Sequence, residues 1–325
     1  MTTIIKKITL VEYILFFIYL CIILVGLKEF IIWNQITDLL NGDNFNKRFE
    51  VLLSLYKTGH PHALRVTLLY PILEFVRLMN VDENFFFSLI LFILLFCTYR
   101  LVKKILNNLG INKTLPILLF LFFLSYFMNG RIIFAIFGNT LILFALFSYE
   151  WNNISKLKLM GFLTIGAFFT SVSSGTFSVA LVTILLFYFL SFLAYFPIIK
   201  KKYFGIYMFL LVFFLSSFPF IALLFIKNLN YYNGSIINML NHGYGKIFLI
   251  NHYFIILLSY MVCLMSILLL YISKRYRIYI FSLSQVFASV LVGLFGYTAF
   301  LSGIMAYILL FYMLINKNII NRICQ

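Results

Sequence analysis

The stretch NFFFSLILFILLFCTYRLVKK, residues 84–104, decides the fold class of this chain. It is a long apolar run that ends in a basic turn. Because an α-helix rises about 1.5 Å per residue, roughly 20 apolar residues cross the ~30 Å hydrocarbon core of a bilayer. Basic residues at the end of such a run favour the cytoplasmic side. The stretch therefore predicts a transmembrane helix whose C-terminal end lies in the cytoplasm.

The rest of the chain repeats this pattern. Of its 325 residues, 64% are hydrophobic and 10% are charged, and the mean hydropathy of +1.05 lies far above that of soluble domains. The apolar blocks are continuous, whereas the strands of a membrane barrel alternate polar and apolar residues. We therefore predict an all-α polytopic membrane protein in which residues 1–325 form a single integral membrane domain.

The hydropathy pattern predicts about ten transmembrane helices. Connectors rich in Lys and Arg orient them, because such connectors stay in the cytoplasm. If the N-terminus is cytoplasmic, every connector on that side carries Lys or Arg, and both termini are then cytoplasmic. The predicted spans are residues 8–27, 84–102, 114–129, 132–149, 159–173, 177–197, 204–226, 251–272, 278–296 and 299–316.

Two polar segments, residues 28–83 and 227–250, are predicted to be outer loops. The first contains residues 64–79, which are apolar enough to resemble a span. Counting them as a span would move Lys103 and Lys104 to the outside, against the positive-inside rule. We therefore predict an interfacial or re-entrant helix here, bent by Pro71.

Several function classes lack their sequence signals. The chain has no GxxxxGKS/T, GxGxxG or HExxH motif, and its four cysteines show no CxxC spacing. The cytoplasmic connectors are too short to hold a nucleotide-binding domain. The net charge of +16 comes from residues between spans and not from one dense stripe. We therefore expect no nucleic-acid partner, no metal and no cofactor.

The segment GHPHALR, residues 59–65, collects charge in the first outer loop. If the chain is extended around Pro61, His60 and His62 lie on the same side, with Arg65 one turn into the following helix. Such a group can present imidazoles and a guanidinium to a phosphate. A zinc site would need a third ligand at recognisable spacing, and a solvated helix entry explains the same residues. Arg77 follows in the same loop.

Arg131, in FMNGRIIFAIFG, is predicted to lie at a tight outer turn between two spans. An arginine beside the hydrocarbon is costly without a partner, which makes it a candidate functional residue. Snorkelling to the headgroups is the alternative. The second outer loop carries His242 and Lys246 among Asn, Tyr and Gly, a composition typical of sugar-binding loops and of ordinary exposed loops.

The order of these features resembles a known family. The run HPHALRVTLLYPILEFVRLMNVDENFFFSLILFILLFCTYRLVKKI is similar to the segment of EpsG-type and Wzy-type polysaccharide polymerases in which an outer loop leads through an interfacial helix into a Phe-rich span. LSYFMNGRIIFAIFGNTLILFALFSYEWNN resembles the family's outer-turn arginine followed by a long span. In TSVSSGTFSVAL, Ser174 or Thr176 stands where such proteins often carry a histidine. The resemblance covers residues 56–190.

This resemblance implies a polymerase that joins undecaprenyl-pyrophosphate-linked glycan repeat units at the outer face of the bacterial cytoplasmic membrane. The partners are then the lipid-linked oligosaccharide, membrane lipid and other polysaccharide assembly proteins. An acceptor hydroxyl attacks an anomeric carbon while lipid pyrophosphate leaves, so the site needs a base and cations. On this reading the catalytic residues are His60, His62 and Arg131, and the substrate-binding residues are Arg65, Arg77, His242 and Lys246.

Two other functions fit the same sequence. A multi-span glycosyltransferase that uses polyprenyl-phosphate sugars would take its base from Asp38 or Asp43 in TDLLNGDNF. A flippase or transporter would show inverted repeats and polar residues at mid-membrane. The chain has no clear internal repeat, and its polar residues cluster at one face, which favours chemistry at the outer face.

Overall fold

The computed structural model describes residues 10–25, 44–58, 63–111, 114–127, 130–195, 232–240, 277–293 and 297–315, together with isolated positions between 38 and 40 and between 208 and 230. These residues form helices joined by turns and short connectors, and they contain no strand. The all-α prediction is confirmed at this level. The predicted spans at 204–226 and 251–272 lie outside the described residues, apart from isolated positions in the first, so the count of ten spans stays a prediction.

The described residues form the following helices, numbered in chain order. They are α1 (Leu10–Leu24), α2 (Phe45–Lys57), α3 (Ala63–Leu78), α4 (Glu83–Asn108), α5 (Leu115–Phe127), α6 (Gly130–Glu150), α7 (Lys156–Thr170), α8 (Ser174–Tyr195), α9 (Ile236–Leu240), α10 (Arg277–Gly293), α11 (Tyr297–Ser302) and α12 (Ile304–Ile315).

Among the described residues, two helices are long and apolar enough to cross a membrane. They are α4, with 26 residues, and the segment Ile132–Glu150 of α6, with 19 residues. Shorter apolar helices accompany them at Leu10–Leu24, Gly175–Phe187, Phe281–Gly293 and Ile304–Met313. Length and composition therefore agree with the prediction for the quoted stretch.

Local signals set the ends of α4. The Asp82 side chain accepts a hydrogen bond from the Phe85 backbone N–H at 2.7 Å, which is a helix N-cap. The helix continues beyond the predicted end at residue 102 to Asn108, and Gly110 then adopts a positive φ of 77°. A residue in this left-handed conformation ends many helices, and glycine adopts it without steric cost.

The predicted last span, residues 299–316, is two helices and not one. α11 ends at Ser302 and α12 begins at Ile304, with Gly303 between them. A Cβ atom at Gly303 would lie 2.5 Å from the Ser289 hydroxyl oxygen, so α10 packs directly against this break. Glycine is also a poor helix former, which explains why the helix is interrupted here.

α6 is the central helix of the bundle. It packs against α4, α7, α8, α10, α11 and α12, and nearly all its side chains are buried. Its crossing with α7 is closest at Gly138 and Gly166. A Cβ atom at Gly138 would lie 2.5 Å from the Gly166 carbonyl oxygen, and one at Gly166 would lie 2.8 Å from the Gly138 carbonyl oxygen. The two backbones are in contact because neither residue has a side chain.

Residues 64–79, predicted to form an interfacial or re-entrant helix, are helical in α3, which continues as an α-helix through Pro71. The position of this helix relative to the membrane stays a prediction. α2, which the hydropathy pattern did not predict, packs beside it and buries Leu52 and Leu55. Its N-cap is Asn44, whose side chain accepts from the Lys47 backbone N–H at 2.9 Å. The α2–α3 pair covers one end of α4 and α6.

Candidate functional site

The first turns of α3 and α6 and the α7–α8 turn (residues 171–173) meet in one buried cluster. Val66 and Leu69 of α3 belong to the same apolar cluster as Ile133 and Phe134 of α6 and Val172 of the turn. We call this region the α3–α6 site. Short connectors make α4, α5, α6 and α7 run in alternating directions, so the site lies at the end of the bundle where α6 begins and α7 ends.

Arg65 holds the α3–α6 site together. Its side chain is buried, with 4% of its surface exposed, and its Nε donates a hydrogen bond to the Val172 carbonyl at 2.7 Å. A buried guanidinium is costly without hydrogen-bond partners, so this bond fixes α3 against the α7–α8 turn. The structure thus brings Arg65 into contact with the turn that joins the predicted spans 159–173 and 177–197. Its predicted contact with substrate stays a prediction.

The hydroxyl groups of the turn bond to the backbone. Thr176 Oγ1 donates to the carbonyl oxygens of Thr170 at 2.5 Å and Ser173 at 2.9 Å. Ser171 Oγ donates to the Phe168 carbonyl at 2.6 Å. These bonds satisfy carbonyl groups that the end of a helix leaves without an intrahelical partner. They stabilise the shape of the turn.

The remaining predicted residues of this site are only partly described. Arg131 is the second residue of α6, next to Ile132 in the chain, and its side chain lies outside the described residues. His60 and His62 also lie outside them, and they precede the first residue of α3. The same holds for His242, Lys246 and Asp43, whereas Asp38 is described and exposed.

Two ion pairs organise the other charges around α3. Arg48 of α2 donates from Nε and Nη2 to the two carboxylate oxygens of Glu74, at 2.6 and 2.7 Å, with both side chains nearly buried. The hydrogen bond to Glu74 raises the pKa of Arg48 above its ordinary value. Arg77 donates from Nε to Glu83 at 3.0 Å and is half-buried, and its predicted contact with substrate stays a prediction. The sequence analysis did not predict the Arg48–Glu74 pair, because the two residues are 26 positions apart on different helices.

A second polar group lies at the middle of α6 and α10, and we call it the mid-helix polar centre. Gln285 Nε2 donates to the Asn139 carbonyl at 3.0 Å and to Asn139 Oδ1 at 3.3 Å. Both residues are fully buried. Asn139 Nδ2, Thr140 Oγ1, Ser282 Oγ and Gln285 Oε1 have no hydrogen-bond partner within the part of the chain that the structure describes. The sequence analysis placed the polar residues at one face of the membrane domain. The structure adds a group of buried polar residues at the middle of two helices.

A third group buries charge between α1, α4 and the start of α5. Lys103 Nζ donates to both oxygens of Glu12, at 2.8 and 2.6 Å, while Tyr99 donates its hydroxyl hydrogen to the same carboxylate. Thr114 Oγ1 also donates to Glu12, at 3.1 Å. The sequence analysis used Lys103 only as a signal of membrane topology and assigned no partner to it. Lys103 and Glu12 are both buried, and they bind each other.

Within the described ranges, no group of three His, Cys, Asp or Glu side chains lies close enough to hold a metal ion.

Comparisons with protein-family models, curated proteins and solved structures found no match. The polymerase reading therefore depends on the quoted stretches and on the geometry above.

Proposed function

We propose that this chain is a polytopic membrane enzyme that joins lipid-pyrophosphate-linked glycan repeat units at the outer face of the bacterial cytoplasmic membrane. The observation that carries the proposal is the meeting of the first turn of α3, the first turn of α6 and the α7–α8 turn. Those are the three segments in which the polymerase-like stretches carry their polar residues. They are far apart in sequence, and the buried Arg65 connects two of them.

The orientation of the bundle supports an outer location for this site. The opposite end, where α4 ends and α7 begins, carries the exposed cations Arg100, Lys104, Lys156 and Lys158. Under the positive-inside rule that end is cytoplasmic. The ten-span topology with both termini in the cytoplasm is consistent with this orientation, and α3 then lies at the outer interface.

The chemistry needs a cation for the leaving group and a base for the acceptor. The acceptor hydroxyl oxygen bonds to the anomeric carbon, the bond from that carbon to the pyrophosphate oxygen breaks, and the hydroxyl proton moves to the base. Arg131, at the start of α6, is assigned to the departing pyrophosphate, since a guanidinium fork binds phosphate oxygens in pairs. His60 or His62 takes the proton, because a neutral imidazole is common near pH 7.

Arg65 has a supporting part in this mechanism. Its Nε is engaged by the Val172 carbonyl, so its first role is to hold the turn against α3. Its positive charge also strengthens the binding of a pyrophosphate at the same end of the bundle. The substrate is a lipid-linked oligosaccharide, and other polysaccharide assembly proteins are the expected partners.

The test is made in the native host. We expect deletion of the gene to remove the long-chain glycan ladder while a single repeat unit remains attached. Wild type and the Lys47→Ala variant should restore the ladder, because Lys47 is exposed on α2. Arg131→Ala at normal abundance should not restore it. A full ladder from the deletion strain, or from Arg131→Ala, would contradict the proposal.

The mid-helix polar centre favours a second function, a transporter of a lipid-linked or small polar substrate. Carriers bind their substrates near the middle of the bilayer, and the middle of α6 and α10 holds buried polar atoms that find no hydrogen-bond partner among the described residues. The two functions differ in where the intermediate accumulates after deletion. If the lipid-linked single repeat accumulates at the outer face, a lectin added from outside the cytoplasmic membrane labels it, which indicates a polymerase. If it accumulates at the cytoplasmic face, the same lectin does not reach it, which indicates a flippase.

A further inference from the structure

The end of the bundle opposite the α3–α6 site carries exposed cations that the proposed function does not use, and we call the surface between α4 and α7 at this end the basic groove. Its walls are α4 and α7, both of which pack against α6. Arg100 and Lys104 are exposed on α4 and are four residues apart, so they lie on one helix face. Lys158 is exposed in the first turn of α7.

Aromatic rings form the floor of this groove. Lys104 Nζ lies over the Phe144 ring of α6, 5.1 Å from its centroid. Phe144 meets Phe162 of α7 edge to face, with 6.2 Å between centroids. Phe162 is four residues after Lys158, so those two side chains share a face of α7. The Lys104–Phe144 contact and the Phe144–Phe162 contact therefore connect Lys104 of α4 with the face of α7 that carries Lys158.

An apolar helix face continues from the groove toward the middle of the bundle. On α7, Ile165 and Phe168 are exposed by 47% and 50%, and Ile165 is seven residues after Lys158, so it lies on the same side of the helix. In water such a surface is unfavourable, whereas acyl chains can cover it. A ligand that combines a phosphate headgroup with acyl chains matches both parts of this surface. An acidic peptide or free phosphate matches only the cations.

We infer that the groove formed by Arg100, Lys104, Lys158, Phe144 and Phe162 is a binding site for one anionic phospholipid. The phosphate lies between the cations of α4 and α7, and an acyl chain runs along the exposed face of α7. Two acidic residues described at this end reduce the positive potential: Glu150, half-buried where α6 ends, and Glu12, buried and bonded to Lys103 beside Lys104. The site serves to hold α4 and α7 in place at the cytoplasmic interface.

The experiment is native mass spectrometry of the purified full chain in neutral detergent. Phosphatidylglycerol and phosphatidylcholine with identical acyl chains are titrated separately, and inorganic phosphate is used as a competitor. We expect one preferred phosphatidylglycerol adduct, weak phosphatidylcholine binding and no competition by millimolar phosphate. The Lys104→Gln/Lys158→Gln variant should weaken the first adduct by about fivefold for each cation removed.

Two variants separate this site from general charge effects. Lys47→Gln/Lys57→Gln removes two exposed cations of α2, at the other end of the bundle, and should leave the adduct unchanged. Lys104→Arg/Lys158→Arg keeps the charge and should retain binding. The inference is overturned if the α2 variant loses as much affinity as the groove variant, if phosphatidylcholine binds equally well, or if phosphate displaces the lipid. None of these readouts depends on glycan synthesis.

Discussion

Breaking the buried pair between Glu12 and Lys103 should destabilise the packing of α1 on α4. Glu12 is 3% exposed and receives hydrogen bonds from Lys103, Tyr99 and Thr114. Lys103→Met keeps the length of the side chain but removes the charge and both of its bonds to the carboxylate. Removing one partner of a buried ion pair costs about 3–5 kcal/mol, since the other charge stays buried and unpaired.

The structure reduces this magnitude to the lower part of that range. Two hydroxyl donors, from Tyr99 and Thr114, remain on the Glu12 carboxylate after the substitution. We therefore expect Lys103→Met to lower the free energy of unfolding by about 3 kcal/mol. The double variant Glu12→Gln/Lys103→Met leaves no buried charge and should recover most of the loss, so the two sites are strongly coupled.

The assay is reversible unfolding of the purified chain in mixed micelles with increasing SDS, followed by circular dichroism. Lys156→Met is the matched control, because this exposed lysine should change the free energy of unfolding by no more than about 0.5 kcal/mol. Equal stabilities of Lys103→Met and Lys156→Met would refute the reasoning. The single variant Glu12→Gln is measured as well. If the loss of stability in the double variant equals the sum of the losses in the two single variants, the sites are independent and the reasoning is also refuted.

Three further variants test other contacts in the same unfolding assay. Gly138→Ala should cost about 1–3 kcal/mol, because its new Cβ meets the α7 backbone at 2.5 Å, while Gly161→Ala, with nothing within 4 Å, should be neutral or stabilising. Gln285→Leu should cost about 1–3 kcal/mol by leaving Asn139 without its bond, and Asn139→Leu/Gln285→Leu should recover much of that loss. Arg48→Met should cost about 3 kcal/mol by leaving its buried carboxylate partner on α3 unpaired, and an unchanged midpoint would contradict the pairing.

Local sequence determined which segments of this protein are helical. Apolar runs predicted both ends of α6 to within two residues and the start of α4 to within one, although α4 continues six residues beyond its predicted end. The predicted helix at 64–79 is observed at Ala63–Leu78. These features depend on side chains a few residues apart, through capping, hydropathy and the exclusion of strand alternation. The hydropathy pattern missed the break at Gly303, although glycine is itself a local signal for a helix end. The close approach of Ser289 to this break depends on the packing of another helix.

Tertiary structure decided which polar residues meet. Lys103 and Lys104 are neighbours in one basic turn, yet the first is buried on Glu12, 91 residues away, while the second is exposed over Phe144. Arg65 bonds to a carbonyl 107 residues away, and Gln285 to one 146 residues away. Helical periodicity predicts the face on which a side chain lies, but the partner of that face depends on which helices pack together. Hydrogen bonds and ion pairs act only at contact distance, so the packing of the helices around α6 selected these pairs.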